Sequence, residues 1–300
     1  MTASSQPSAA DLVGESDLTL AVEEVATCLG VDSLGENLFE VLVLAPRIQS
    51  LAEPGQFAQL LVDEGPVPLL RRPFSFSRSD PRSGMVSFYL AAVGQGSRRL
   101  SRLRPGDQLR MLGPLGRGFS LPETRGTSVV VAGGLGAAPF PLLMTRLLQG
   151  DERVVFVNGA RRALELYPEE RLPRGLSSLV VRTEDGSRGQ AGRVTDGLLD
   201  LMKGADRVYA CGPNAMLSAL VAIWEETGPG AGVERPRLEV SIEAPMGCGF
   251  GTCLGCAIPL RLPSGDPAEG PLGLCCRQGP VLDGRELDWP RLLLQPSHLG

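Results

Sequence analysis

The sequence predicts a multidomain β plus α/β protein: an antiparallel β-barrel, then a parallel α/β domain, then a small cysteine-organised lobe. Three observations predict it. Residues 19–121 hold short β-type runs separated by turn signals, the spacing of an antiparallel barrel or sandwich. From residue 128 continuous apolar runs alternate with helical stretches, which implies parallel strands with helices on both faces. Beyond residue 233 the chain becomes rich in cysteine and glycine, with five of its seven cysteines between Cys248 and Cys276.

Composition allows this much structure and excludes some functions. With 300 residues, 43% hydrophobic and 21% charged, the chain can bury more than one core. A net charge of -5 argues against binding a nucleic acid backbone, which calls for a basic face. The amino-terminal residues 1–16 lack a basic start and an apolar run, so they read as a disordered tail and not as a signal peptide. The apolar stretch at residues 129–144 is short for a membrane span and is broken by glycines and by Pro139 and Pro141. A cytoplasmic protein without a membrane span is therefore expected. In that compartment thiols stay reduced, so the clustered cysteines suggest metal ligation before disulfides. The single histidine, His298, offers little chemistry.

In chain order, the first domain, expected over 17–122, contains LTLAVEEVATCL, LFEVLVLA, QFAQLLV, MVSFYLAAV and DQLRML, with turns at PGQ and PGD. The second, expected over 126–233, alternates SVVVAGG, PFPLLMTRLLQ, RVVFVNGA, SSLVVRTEDG, TDGLLDLM, DRVYACGP and AMLSALVAIWEE. The lobe is expected over 237–300.

Within the lobe, Cys248, Cys253 and Cys256 have C-x4-C-x2-C spacing, and Cys275 or Cys276 follows about twenty residues later. That is the plant-type spacing for a [2Fe–2S] cluster held by four thiolates. Glycines at 247, 249, 251 and 255 suit a loop whose backbone wraps closely around a cluster. A structural zinc site also uses four thiolates, although it more often shows paired C-x2-C knuckles. Adjacent side chains in an extended segment point to opposite sides, so only one of Cys275 and Cys276 is expected to bind. Cys28, in a strand-like run, reads as an ordinary buried thiol.

Other segments point to nucleotides. VVVAGGLGAAP is a strand running into a glycine turn and a helical stretch, an arrangement that sets backbone N–H groups against a phosphate. Gly133, Gly134 and Gly136 do not spell the full G-x-G-x-x-G fingerprint, and residues 158–161 carry no acidic group at the end of the next strand. Cys211 and Gly212 occupy another carboxyl end of the sheet, where open α/β folds bind ligands. RRPFSFS alternates Arg72, Phe74 and Phe76 with Pro73, Ser75 and Ser77, and arginine supplies paired donors to phosphate. GQGS, with Gly94, Gly96 and Ser97, precedes a basic helix-like stretch and forms a second candidate cradle.

Together and in this order the segments resemble the ferredoxin reductase family, and most closely the electron-transfer subunits of heteromeric bacterial dihydroorotate dehydrogenases. The resemblance runs from about residue 18 to 288. It rests on PGQF, RPFS, GQGS, PGD followed by GPLGRGF, GGLGAAP, DGS, CGPNAM, and EAPMGCGFGTCLGC with CRQGPV. It implies a FAD-binding barrel, an NAD-binding α/β domain and a [2Fe–2S] lobe. By that resemblance Arg72, Pro73, Phe74, Ser75, Gly94, Gly96 and Ser97 form the FAD site, with Arg72 and Ser75 at the phosphates and Phe74 beside the flavin. Gly133, Gly134, Gly136, Cys211 and Gly212 line the nicotinamide-nucleotide site. Cys248, Cys253, Cys256 and Cys276 hold the cluster. The implied partner is the dihydroorotate-oxidising FMN subunit, in a heterotetramer, with electrons passing through [2Fe–2S] and FAD to NAD+ in pyrimidine biosynthesis. No general acid or base is expected in this chain. A related subunit of a ferredoxin-NADP oxidoreductase or sulfide dehydrogenase is the near alternative, and a zinc-stabilised structural or regulatory protein the distant one. NAD against NADP stays open, since Arg161 and Arg162 lie near where a 2′-phosphate would sit.

Overall fold

The computed structural model describes residues 21–62, 70–228, 235–261 and 270–295, so the expected tail over 1–16 and His298 lie outside the described residues. The first region contains β1 (Val22–Ser33), β2 (Leu38–Leu44), α1 (Pro46–Gln49), β3 (Phe57–Leu61), β4 (Arg72–Ser75), β5 (Arg78–Asp80), β6 (Met85–Ala91), α2 (Gln95–Leu100) and β7 (Gln108–Leu115). Its strands pair antiparallel in the order β4-β3-β7-β1-β2-β6-β5.

The expected barrel is a curled sheet whose ladder does not close among the described residues. Its two edges, β4 and β5, are consecutive in the chain and separated only by Phe76 and Ser77, so the sheet has to curl until they meet. Each edge strand is only four or three residues long, too short to extend a ladder past that bend. The inside is apolar, with Val41, Val43, Ala58, Leu60, Phe76, Phe88 and Met111 fully buried.

The α/β region opens with β8 (Thr127–Gly133), α3 (Phe140–Gln149), β9 (Arg153–Ala160), β10 (Ser178–Thr183), β11 (Gln190–Ala191), α4 (Leu198–Lys203), β12 (Arg207–Cys211) and α5 (Asn214–Glu226). Then come β13 (Arg237–Ser241), β14 (Ala257–Pro259), β15 (Leu272–Leu274), α6 (Cys275–Gln278), β16 (Val281–Asp283) and α7 (Trp289–Leu293). The large sheet runs β11-β10-β9-β8-β12-β13-β16 and is parallel except for the last pair. Alternation along β8 explains why helices cover both faces. Val130 and Ala132 pack under α3 with Phe140, Leu143 and Leu147, while Val129 and Val131 pack under α4 and α5 with Leu198, Met202 and Leu217.

Two connections hold the regions together. Glu40, fully buried on β2, takes a bidentate contact from Arg78 at 2.6 and 2.7 Å and a hydroxyl from Ser87 at 2.7 Å. Arg171, from the α/β region, reaches the same carboxylate at 3.4 Å and Asp32 at 2.7 Å. On the other side, the segment after β7 threads between the sheets: Phe119 N–H donates to the Pro54 carbonyl at 2.8 Å, and Ser120 donates twice to buried Glu239. Gly116 sits where a Cβ would meet the Gly279 carbonyl at 2.8 Å, so only glycine allows this crossing.

Candidate functional site

The cysteine lobe is built by a loop and a short ladder. Pairing of Ala257 with Leu274 brings Cys256 beside the start of α6. Cys275 and Cys276 occupy the first turn of that helix, not an extended segment, and still diverge because consecutive helical residues lie about 100° apart. Cys276 Sγ stands 3.1 Å from Cys256 Sγ, whereas Cys275 is fully buried in the apolar core, where burial pushes its thiol well up. On the loop, Cys253 N–H points at Cys248 Sγ at 3.4 Å, and Cys248 and Gly255 N–H point at Cys253 Sγ at 3.5 and 3.4 Å. A Cβ on Gly247 would lie 3.1 Å from that same sulfur. The four sulfurs thus form two pairs, and among the described residues no three cysteine, histidine or carboxylate side chains converge on one point. A [2Fe–2S] cluster with four cysteine ligands places two on each iron, so two thiol pairs in a glycine cradle fit it; one tetrahedral zinc requires all four at once.

The electrostatics of the lobe favour thiolate at one member of each pair. Burial pushes Cys248 up, but amides of Phe250, Cys253 and Thr252 outweigh it and bring it to about 7. Cys256 falls to about 6, first because Cys276 donates to it and despite burial, while Cys276 is raised by that same bond. Arg277, missed by the sequence reading, lays Cγ and Cδ where a Cβ on Gly251 would be 3.0 and 3.1 Å away. Its Nε is buried without a partner next to a candidate ligand.

On the curled sheet, Arg72, Pro73, Phe74 and Ser75 form β4, paired with Leu60, Gln59, Ala58 and Phe57 of β3. Phe74 leans on the inner core and Arg72 folds over the glycine turn, so that a Cβ on Gly96 would meet Arg72 Cγ at 3.1 Å. Gly94 N–H donates to Ser97 Oγ at 3.0 Å, which ties the turn into the start of α2. The two segments that the sequence marked separately therefore make one surface, with an arginine laid over the start of a helix, a combination suited to a pyrophosphate.

At the carboxyl edge of the large sheet the glycine turns interlock. A Cβ on Gly136 would lie 2.2 Å from the Cys211 carbonyl, and one on Gly212 would lie 2.8 Å from Met216 Cε. Gly133 has Met216 Sδ at 2.4 Å from its would-be Cβ, whereas Gly134, at φ +54, has nothing within 4 Å. Met216, which carried no role in the sequence reading, is the floor under both turns. Burial pushes the Cys211 thiol up to about 12, helped by Glu243. Glu243 lies at the exposed mouth of this cleft but is walled by protein, and that desolvation lifts its carboxyl to about 7. Glu243 opens the EAPMGC segment, but nothing in the sequence assigned it a role, since a single glutamate after a strand carries no periodic signal. Further along the edge, Arg161 and Arg162 both pair with Glu165, at 3.4 and 3.0 Å, and Ser187 Oγ accepts from Ala163 N–H at 2.8 Å.

Comparison with known proteins bears on both sites. Residues 243–288 match the family described as iron-sulfur cluster binding domain of dihydroorotate dehydrogenase B, and residues 130–221 match the oxidoreductase NAD-binding domain. The dihydroorotate dehydrogenase B (NAD(+)), electron transfer subunit of Bacillus cereus is 34% identical over 250 residues, covering 83% of this chain and 92% of its own. The Bacillus anthracis protein of the same name has the same identity and coverage, 34%, 83% and 92%. Among solved structures, the NADH-dependent reduced ferredoxin-NADP oxidoreductase superposes with a TM-score of 0.76 at 25% identity, covering 89% of this chain and 91% of that one. A ferredoxin NADP+ reductase from Neisseria gonorrhoeae, at TM-score 0.59 and 18% identity over 73% of this chain and 99% of its own, shares the fold. No helix among the described residues is long and apolar enough to cross a membrane.

Proposed function

The chain belongs to the family of dihydroorotate dehydrogenase B electron transfer subunits, and on that footing we propose that it takes electrons from the flavin of a dihydroorotate-oxidising subunit and delivers them to NAD+, in pyrimidine biosynthesis. The observation that carries this reading is the pair of thiol pairs, Cys248 with Cys253 and Cys256 with Cys276, lodged against the curled sheet. These four residues would hold a [2Fe–2S] cluster, and Arg72, Pro73, Phe74, Ser75, Gly94, Gly96 and Ser97 would hold FAD. When bound, a flavin converts between the hydride exchanged by nicotinamide and the single electrons exchanged by a cluster.

The protein's own residues bind, orient and shield. Arg72 supplies a fixed positive charge at the pyrophosphate, and the N–H groups of the Gly94–Ser97 turn add neutral donors. Gly133, Gly136 and Gly212 let the two turns close onto Met216 and Cys211 and so shape the edge for the nicotinamide nucleotide, with Gly134, at positive φ and facing open space, leaving room for it. Cys211 stays a neutral thiol at the wall of that cleft. Because Glu165 engages both Arg161 and Arg162, a 2′-phosphate would have to displace a carboxylate, which favours NAD over NADP. Phe250, Cys253 and Leu254 are exposed at the cluster edge and would face the catalytic partner in a heterotetramer.

The test is anaerobic purification of the full chain, with iron, acid-labile sulfide, zinc and released flavin assayed together, followed by reconstitution with the dihydroorotate-oxidising subunit. Two irons, two sulfides and one FAD per chain, with dihydroorotate-dependent NADH formation and a light-scattering mass of two copies of each subunit, are expected. Zinc without flavin would sink the reading.

A further inference from the structure

Gln59 is a polar side chain in an apolar place. It lies mid-strand in β3, between Ala58 and Leu60 of the inner core, and is itself fully buried. Neither Nε2 nor Oε1 has a hydrogen-bond partner. Leaving a buried amide unpaired carries a desolvation penalty that a leucine or methionine in the same space would avoid. An unpaired group of this kind calls for a partner that the protein atoms do not supply.

Its surroundings say which partner. Gln59 pairs in register with Pro73 of the candidate flavin strand on one side and Leu112 of β7 on the other, and neither residue brings it a polar side chain. Across the gap stands the cysteine loop. A Cβ built on Gly249 would be 2.5 Å from Gln59 Nε2, 2.7 Å from its Cγ and 3.0 Å from its Cδ. The amide therefore lies flat against the backbone one residue beyond Cys248, and Gly249 is the only kind of residue that admits it, at φ +83. Around this loop the backbone N–H groups of Cys248, Cys253 and Gly255 already aim at sulfur. Gln59 brings a side-chain amide from the curled sheet up to the same loop, although it reaches none of the cysteine sulfurs itself.

We propose that Gln59 is a positioning residue for the iron–sulfur cluster, with Nε2, unpaired in the protein itself, available as a donor to the cluster beside the Cys248–Gly249 backbone. The inference rests on the cluster reading above. A donor to sulfur stabilises the charge added on reduction and so raises the potential. It also makes a strand of the curled sheet, whose neighbour β4 carries the flavin motif, a direct support of the cluster loop. Cluster and flavin site are then held in one frame by a single side chain.

The experiment is an anaerobic EPR-monitored redox titration of the full chain as wild type, Gln59→Met and Gln59→Glu, with iron, sulfide and FAD measured on each. Methionine keeps the volume and removes the donor; glutamate keeps the shape and brings an acceptor and a charge. The expected result is a lower cluster potential in both, by about tenfold in the electron-sharing equilibrium or ~59 mV for a one-electron couple, larger for glutamate, with FAD content unchanged. Loss of iron from both variants with FAD retained supports the same placement. Fully loaded variants with the wild-type potential overturn the inference, as does loss of FAD and iron together in both. A wild-type chain without iron overturns the cluster reading itself, a distinct outcome seen before any variant is titrated.

Discussion

The cysteine loop and the glycine edge of the large sheet solve opposite problems. In the candidate cluster site, side chains would do the binding: Cys248, Cys253 and Cys256 come from a loop on which Cys253 is exposed and Leu254 sits at φ +58, and Cys276 from α6. At the glycine edge, the backbone would do the binding, and side chains are excluded by contacts as short as 2.2 Å between a would-be Cβ and a carbonyl. A site made of side chains announces itself by residue type and spacing. A site made of backbone announces itself only by what is missing.

The largest effect that would break this comparison lies in the loop. Cys276→Ser should reduce iron and sulfide per chain to background and abolish the visible absorption of the cluster, while Cys275→Ser keeps both, because only Cys276 faces Cys256. Equal loss in the two variants, measured by metal and sulfide assay, would show that the helical turn of α6 is not what selects the ligand.

At the glycine edge the expectation is steric. Gly136→Ala drives a methyl into the Cys211 carbonyl and should cost about 1–3 kcal/mol of stability together with NADH affinity, read by thermal melting and fluorescence titration. Gly134→Ala has open space and only its positive φ against it, so about 1 kcal/mol is expected with NADH binding retained. Similar losses from both would mean that conformation, not close approach, makes these glycines necessary.

The candidate flavin cradle stands between the two modes, since it would use one side chain and one turn. Arg72→Ala should weaken FAD retention by roughly tenfold or more, as expected for a charge-assisted bond of about 1.5–3 kcal/mol, and the loss should shrink as salt is raised. Unchanged flavin content after gel filtration would leave the turn alone responsible for binding.

The smallest effect sharpens the contrast by pH. Glu243 is raised from its ordinary 4.5 to about 7 by desolvation, so the folded state holds its proton more tightly than the unfolded one. Its protonated form is therefore accommodated fully below pH 4.5, and stability is lost as pH rises through about 7. Glu243→Gln should match wild type in Tm at pH 4 and exceed it slightly at pH 8. A Tm difference of equal size at both values would rule out titration of this carboxyl as the cause.

The residues that sequence reading reached share one property: their chemistry is carried by type and local spacing. The C-x4-C-x2-C run is a local loop, and GGLGAAP directly follows its strand, so both were legible. Arg72 and Gly96 were each visible, but their contact was not, because β4 and α2 are joined only through β5 and β6 of the curled sheet. The barrel expectation met a ladder that stops short for the reason that its edge strands are four and three residues long. Gln59, Glu243, Met216 and Arg277 carried no role in the sequence for a common reason, although the last three fall inside the quoted motifs. Each is an ordinary residue type that matters through what packs against it from another segment of the chain.

By itself the sequence determined the alternation of strands and helices in the large sheet, the C-x4-C-x2-C spacing of the candidate ligands and the glycine turns, since periodicity and the stereochemistry of single residues act over a few positions. Only the tertiary structure decided that the thiols stand in two pairs, that Gln59 faces Gly249, and that Arg161 and Arg162 are both held by Glu165. Those are consequences of burial and close packing between segments distant in the chain, where the cost of an unpaired amide or a colliding methyl selects the residue, and no local pattern records that cost.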